Sequence, residues 1–255
     1  SFSSIATPTI GSNAIISSPG GVDLGFTNAL TTTNFQAGGV VSSSGGNINI
    51  ITVGGTIAGN LISSNGQLQV LGTLTSDLTI TGTLSETSIF GININLSGAH
   101  NVFVSGALSS SGGGNIVIMG PNAPSIVVSG TISTSGFVQL AGTSATTTVT
   151  LSANTTANQL SLSSSANSAI VTLSGPAALT GGPLRLTASG TGGSIVVSSI
   201  VTGASTVTFF SLGSISIPAS GSISFTGAQS LTGTVAGGIN IAGKLLGSTT
   251  TSTAT

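Results

Sequence analysis

The feature that most constrains this chain is a spacing. Short apolar–x–apolar pairs recur along most of its length, and one series holds Leu78/Ile80, Val102/Val104, Ile126/Val128, Val149/Leu151, Val171/Leu173, Ile195/Val197, Ile215/Ile217 and Ile239/Ile241. Between the second members the steps are 24, 24, 23, 22, 24, 20 and 24 residues. A second series runs Ile48/Ile50, Leu68/Val70, Ile92/Ile94, Ile116/Ile118, Val138/Leu140, Leu160/Leu162, Leu184/Leu186 and Val207/Phe209, with steps of 20, 24, 24, 22, 22, 24 and 23. Each series falls about midway through the other. Side chains two residues apart share one face of a strand. A fixed period of this length marks stacked repeats, in which no coil buries its own apolar face but neighbours bury it together.

The spacing therefore predicts an all-β chain, a single-domain parallel β-helix of about 8–10 coils of 20–24 residues. Stacked at about 4.8 Å, such coils give a rod of roughly 40–50 Å. Two residues after the first series come Gly82, Gly106, Gly130, Ala153, Gly175, Ser199, Ala219 and Gly243, all small, as a tight corner requires. Leu84, Leu108, Ile132, Ala177, Val201 and Leu245 follow two residues later and predict a third, shorter strand, with a poorer fit at Thr155 and around Gly221. The competing architecture is a β-sandwich, which also has short strands between turns but does not require a constant period.

Residues 1–45 lack the register and hold Phe2, Pro8, Pro19, Phe26 and Phe35; they read as a cap or as a strand lent to another copy. Residues 46–246 read as the solenoid, and 247–255 as a Ser/Thr-rich tail.

Composition narrows function by exclusion. Three acids (Asp23, Asp77, Glu86), two bases (Arg185, Lys244) and one histidine (His100) are the whole titratable side-chain inventory of the 255 residues, and cysteine, tryptophan and tyrosine are absent. No basic footprint for nucleic acid exists. Disulfides, thiolate sites and zinc–cysteine clusters are impossible. No cofactor is expected. With 38% hydrophobic residues and a mean hydropathy of +0.59, the chain is too apolar for disorder. No run approaches a membrane-spanning helix, and without Trp or Tyr the aromatic girdles of a membrane barrel cannot be built in the usual way. The opening SFSSIATP shows no signal peptide, so a secreted protein would here be in its mature form.

Candidate chemistry is sparse. Asp77 and Glu86 are the one close acid pair; clustered carboxylates would suit general acid–base work on polysaccharide, but these two flank a strand and need not converge, so no catalytic residue is assigned. His100 lacks partners for a metal site. Arg185, between inward Leu184 and Leu186, and Lys244, after a corner, are expected at the surface. The glycine-rich GGNINI and SGGGNIVIMG lack the ending of a phosphate loop and read as corners. A threonine face for ice is not sustained, because the column between the first-series pairs reads Thr79, Phe103, Val127, Thr150, Thr172, Val196, Ser216, Asn240. Within it Phe103, Val127 and Val196 are candidate lateral contacts, since an outward apolar stripe marks an interaction surface. The matching column of the second series (Gln69, Asn93, Val117, Gln139, Ser161, Arg185, Thr208) predicts an amide ladder along the rod. Asn95-Leu96-Ser97 and Asn154-Thr155-Thr156 are acceptor sequons for glycosylation.

The pattern in DLTITGTL (77–84), NVFVSGAL (101–108) and SIVVSGTI (125–132) resembles the β-helical stalks of bacterial secreted proteins, filamentous haemagglutinins and autotransporter passengers in particular. The resemblance is one of architecture over about residues 46–246 and carries no catalytic residues. It implies a right-handed β-helix at the cell surface, used for adhesion or display. The leading expectation is an extracellular structural protein that assembles head-to-tail with itself into a filament, sheath or matrix. The alternatives are a cell-surface adhesin stalk that binds glycans and, third, a β-helix enzyme acting on polysaccharide.

Overall fold

The computed structural model describes residues 10–26, 35–143, 145–233 and 237–247. Among them every regular element is a strand, and all pairing is parallel. Three sheets of nine, ten and eleven strands run side by side along the chain. From the strand Val40–Ser43 onward, successive pairing partners are three elements apart, so the backbone visits the nine-, eleven- and ten-stranded sheets in turn and then climbs one rung. This is a parallel β-solenoid of about ten turns.

The sequence columns become the sheets. The first series forms the nine-stranded sheet, with Val102 between Leu78 and Ile126. The second forms the ten-stranded sheet, with Ile92 between Leu68 and Ile116. The third strand is real and builds the eleven-stranded sheet, with Leu108 between Leu84 and Ile132. Inward residues of all three meet in one continuous aliphatic interior, in which Ile80, Leu84, Ile94, Val128, Leu140, Leu162 and Ile195 are among many that are wholly buried.

Both weak points of the sequence register have a local cause. Thr155 occupies the inward column between Ile132 and Ala177, wholly buried, with its hydroxyl donating to the Ala153 carbonyl at 3.3 Å. The path is regular there, and only the residue type departs from the pattern. After Ile217 the corner is longer, so the corner residue is Gly221 rather than Ala219. The Gly221 N–H donates to the Pro218 carbonyl, and Ile223 falls in register between Val201 and Leu245.

Before residue 46 the strands Ile15–Ser18 and Val22–Gly25 pair in register with Val40–Ser43 and Ile48–Ile51, so coil strands extend into the segment expected to be a cap or a donated strand. The sequence hides this for two reasons. The inward pairs Ile16/Ser18 and Val41/Ser43 end in serine, and the step from Leu24 to Ile50 is 26 residues, longer than any later one. Residues 1–9 and 27–34, and the tail beyond Gly247, lie outside the described residues.

The corner glycines are set by close backbone approach. A Cβ on Gly106 would collide with the Gly82 carbonyl, and one on Gly130 with that of Gly106, because each corner nests on the one before. Gly25 has open space around the same position. Gly106→Ala should therefore cost about 1–3 kcal/mol as overpacking does, and Gly25→Ala should be near neutral, as read from urea-denaturation midpoints. Arg185 sits in a strand paired on both sides, so native protein should resist trypsin at that bond and yield to it once unfolded.

Candidate functional site

The described residues contain no group of three or more potential metal ligands. Their one ion pair is His100 Nδ1 with Asp77 Oδ1 at 3.7 Å, half-exposed on the corner that leads into the nine-stranded sheet. The Asn101 backbone N–H donates to Asp77 Oδ1 at 2.9 Å and its amide to Oδ2 at 3.1 Å. The backbone bond first, then the amide, hold this carboxyl below its ordinary value; partial burial opposes them and His100 adds to the lowering.

Glu86 is placed quite differently. It ends the strand Leu84–Glu86 in the eleven-stranded sheet, points inward and is wholly buried. The structure thus keeps the acid pair apart, one at the surface and one in the interior, and offers no shared site for a substrate. Glu86 belongs to a file of buried polar residues, Ser43, Ser63, Glu86, Ser110 and Thr134, stacked where the eleven-stranded sheet turns toward the ten-stranded one. Ser43 and Ser63 donate to the turn carbonyls of Gly46 and Gly66, each at 2.7 Å. Thr134 donates to the Gly114 carbonyl at 2.6 Å.

The longer Glu86 side chain reaches further into its turn. The Ser88 N–H donates to Oε1; the Gly91 N–H at 3.2 Å and the Ser110 hydroxyl at 2.8 Å donate to Oε2. Gly91 takes φ 78°, a left-handed conformation that glycine adopts without strain. A buried carboxyl without such partners would be costly. Here three donors converge on it and fix both ends of the turn 87–91.

That braced turn carries two large apolar side chains into solvent. Ile89 is 75% exposed and Phe90 55%. At the matching corner the previous coil has Ser64-Asn65-Gly66-Gln67 and the next has Ser111-Gly112-Gly113-Gly114. Sequence reasoning passed over this pair, although an Ile-Phe placed where other coils put Ser, Asn and Gly is a visible signal.

The expected lateral contacts are placed as follows. Phe103 and Val127 are half-buried neighbours on the outer face of the nine-stranded sheet, and Val196, also half-buried, is separated from them by Thr150 and Thr172. Arg185 and Lys244 are exposed. Of the two sequons, Asn154 is exposed on a corner, whereas Asn95 is half-buried within the strand Ile92–Ser97 and paired with Leu71 and Met119. The amide column is in register but makes no continuous ladder. Asn49 donates to Asp23 at 2.6 Å, Gln69 turns to Gln67 in its own coil, and Asn93 Oδ1 finds no partner among the described residues. The glycine-rich segments are turns into ten-stranded-sheet strands, with no helix after them.

The class defined by this architecture is the parallel β-solenoid. No family model matches the chain, and neither the curated proteins nor the solved structures contain a significant match to it.

Two outcomes follow from the carboxylates. Glu86→Gln leaves a backbone N–H facing the new amide nitrogen and should lower stability by about 1–3 kcal/mol in chemical denaturation, the cost of one buried unsatisfied donor. For Asp77 the folded carboxyl titrates below its unfolded value, so its contribution is present above the unfolded pKa and is lost as pH falls through the folded one. Because the pair is half-exposed, the stability gap between wild type and Asp77→Asn should be under about 1 kcal/mol at pH 6 and should shrink as pH falls below the ordinary carboxylate range.

Proposed function

We propose that this chain is an extracellular structural protein that stacks head-to-tail with copies of itself into a filament, sheath or matrix. The observation that carries the reading is the exposed interior at the last described turn. Ile241 continues the inward column of Ile217, which is wholly buried, yet Ile241 is 40% exposed. Among the described residues the strands Gln229–Gly233, Ile239–Ile241 and Lys244–Leu246 are each the last of their sheet, with one edge unpaired there. Parallel edges of this kind accept another strand unless something blocks them. Beside them Gln229 interrupts an aliphatic inward column, buried, with its Oε1 lacking a partner among the described residues.

Charge does not oppose association. A net charge of −1 supplies little colloidal repulsion against association. The architectural resemblance to bacterial secreted β-helices supports placement outside the cell or at its surface. Surface glycans would be ligands under the adhesin alternative, but no feature of the described surface favours that reading.

Negative-stain microscopy of the purified chain should show filaments with no added partner. Ile241→Asp should abolish them while leaving the unfolding transition of the monomer within about 1 kcal/mol of wild type, as expected for a change at an exposed position. A monodisperse monomer at every concentration would overturn the proposal.

A further inference from the structure

We infer that the peptide link Asn65–Gly66 is a self-modifying site, at which the Gly66 backbone nitrogen displaces the Asn65 side-chain amide and the corner converts to aspartate and isoaspartate. The inference goes beyond the assembly reading and does not rest on it.

Sequence and structure single out this one link. Of the asparagines in the chain only Asn65 is followed by glycine; every other precedes a residue whose side chain crowds the next N–H. Asn65 is exposed in the turn between the strands Asn60–Ser63 and Leu68–Thr73. Other asparagines beside turns are held. Asn47, Asn60, Asn115 and Asn167 each turn Oδ1 to a backbone N–H one coil on, those of Gln67 at 2.8 Å, Thr83 at 2.9 Å, Phe137 at 3.1 Å and Thr191 at 3.1 Å. Even Asn167, followed by the small Ser168, is fixed in this way. The Asn65 amide has no such partner among the described residues.

The backbone is tied on either side of the link and free at it. The Ser64 N–H donates to the Ser43 carbonyl at 2.8 Å, and the Gln67 N–H to Asn47 Oδ1. The Gly66 N–H makes no hydrogen bond among the described residues, although in the preceding coil the matching Gly46 N–H donates to Ser43 Oγ at 3.1 Å. Nucleophile and electrophile are therefore adjacent in the chain and neither is engaged elsewhere, a placement that replaces a bimolecular encounter.

The reaction needs water alone. The Gly66 nitrogen loses its proton and bonds to Asn65 Cγ; the bond from Cγ to the amide nitrogen breaks, and ammonia leaves. Water then opens the cyclic imide at Cγ, giving aspartate, or at the Asn65 backbone carbonyl, giving isoaspartate with a main chain longer by one atom. Either product adds a negative charge to a chain of net charge −1. Isoaspartate also unseats the turn, because Gly66 nests on the coil below so closely that a Cβ there would collide with the Gly46 carbonyl.

The test ages the folded full chain in mildly alkaline buffer. Ion exchange separates the acidic forms, methyl transfer by an isoaspartyl methyltransferase labels isoaspartate, and peptide mass spectrometry places the site. An acidic form should accumulate, carry the change at Asn65, and appear faster as pH rises, since the deprotonated nitrogen attacks. Asn65→Gln, confined to an exposed side chain, must close a larger ring and should form it at least about tenfold more slowly. Asn65→Asp should elute with the aspartate product and keep the wild-type urea midpoint, whereas the isoaspartate form should unfold at lower urea. A native chain that ages without the acidic form overturns the inference, most plainly where the urea-unfolded chain yields it. So does an acidic form that maps first to another asparagine or arises equally fast in Asn65→Gln. An isoaspartate form with the wild-type midpoint overturns the unseating of the turn.

Discussion

The whole structure depends on parallel backbone pairing between successive turns. Within the strands, each coil's backbone N–H and C=O groups pair with the coil below and the coil above, and only the turns close bonds within a coil. From this the remaining features follow. Inward positions must repeat their shape from rung to rung, or the pairing spreads apart. Corners must stay small, because one corner's carbonyl occupies the place where the next corner's Cβ would be.

Within that frame most polar residues that enter the interior have partners, Gln229 Oε1 being an exception among the described residues. Ser43, Ser63 and Thr134 use hydroxyls to satisfy turn carbonyls, and Ser110 donates to the Glu86 carboxyl. Glu86 reverses the polarity of the same task, accepting from N–H groups instead of donating to carbonyls. In this one column position a carboxyl thereby clamps the turn through its N–H groups, where neighbouring coils use a hydroxyl on a turn carbonyl. The brace and the exposed tip form one unit, for the tip's position is defined only because the carboxyl holds both sides of it.

Most of the fold was legible in the sequence because its cause is periodic. Ile and Val two apart, repeated every two dozen residues, leave few other ways to bury themselves, and the third strand could be read from Leu84, Leu108 and Ile132. What escaped was aperiodic. The first two coils were hidden by Ser18 and Ser43 in inward places, and the corner at Gly221 by two added residues. The site was much less legible. Exposure separated Asp77 from Glu86, and the sequence cannot give exposure when both residues lie beside strands. Attention to the sheet faces selected Phe103, Val127 and Val196, whose side chains lie half-covered among their neighbours, whereas the most protruding apolar pair occupies a turn, where side-chain alternation gives no guidance. The amide column failed as a ladder because Gln69 found a nearer partner in its own coil.

The registration of every rung on the same three columns also makes length separable from cross-section. Unequal crossing-over between two coils would add or remove a complete turn while leaving the remaining interior contacts as they were, since each rung presents its successor with much the same aliphatic outline. Lineages carrying such a chain can lengthen or shorten the rod in quantised steps, and a feature carried by one rung, such as the Glu86-clamped corner, can be moved, duplicated or erased along the axis without redesign of the core.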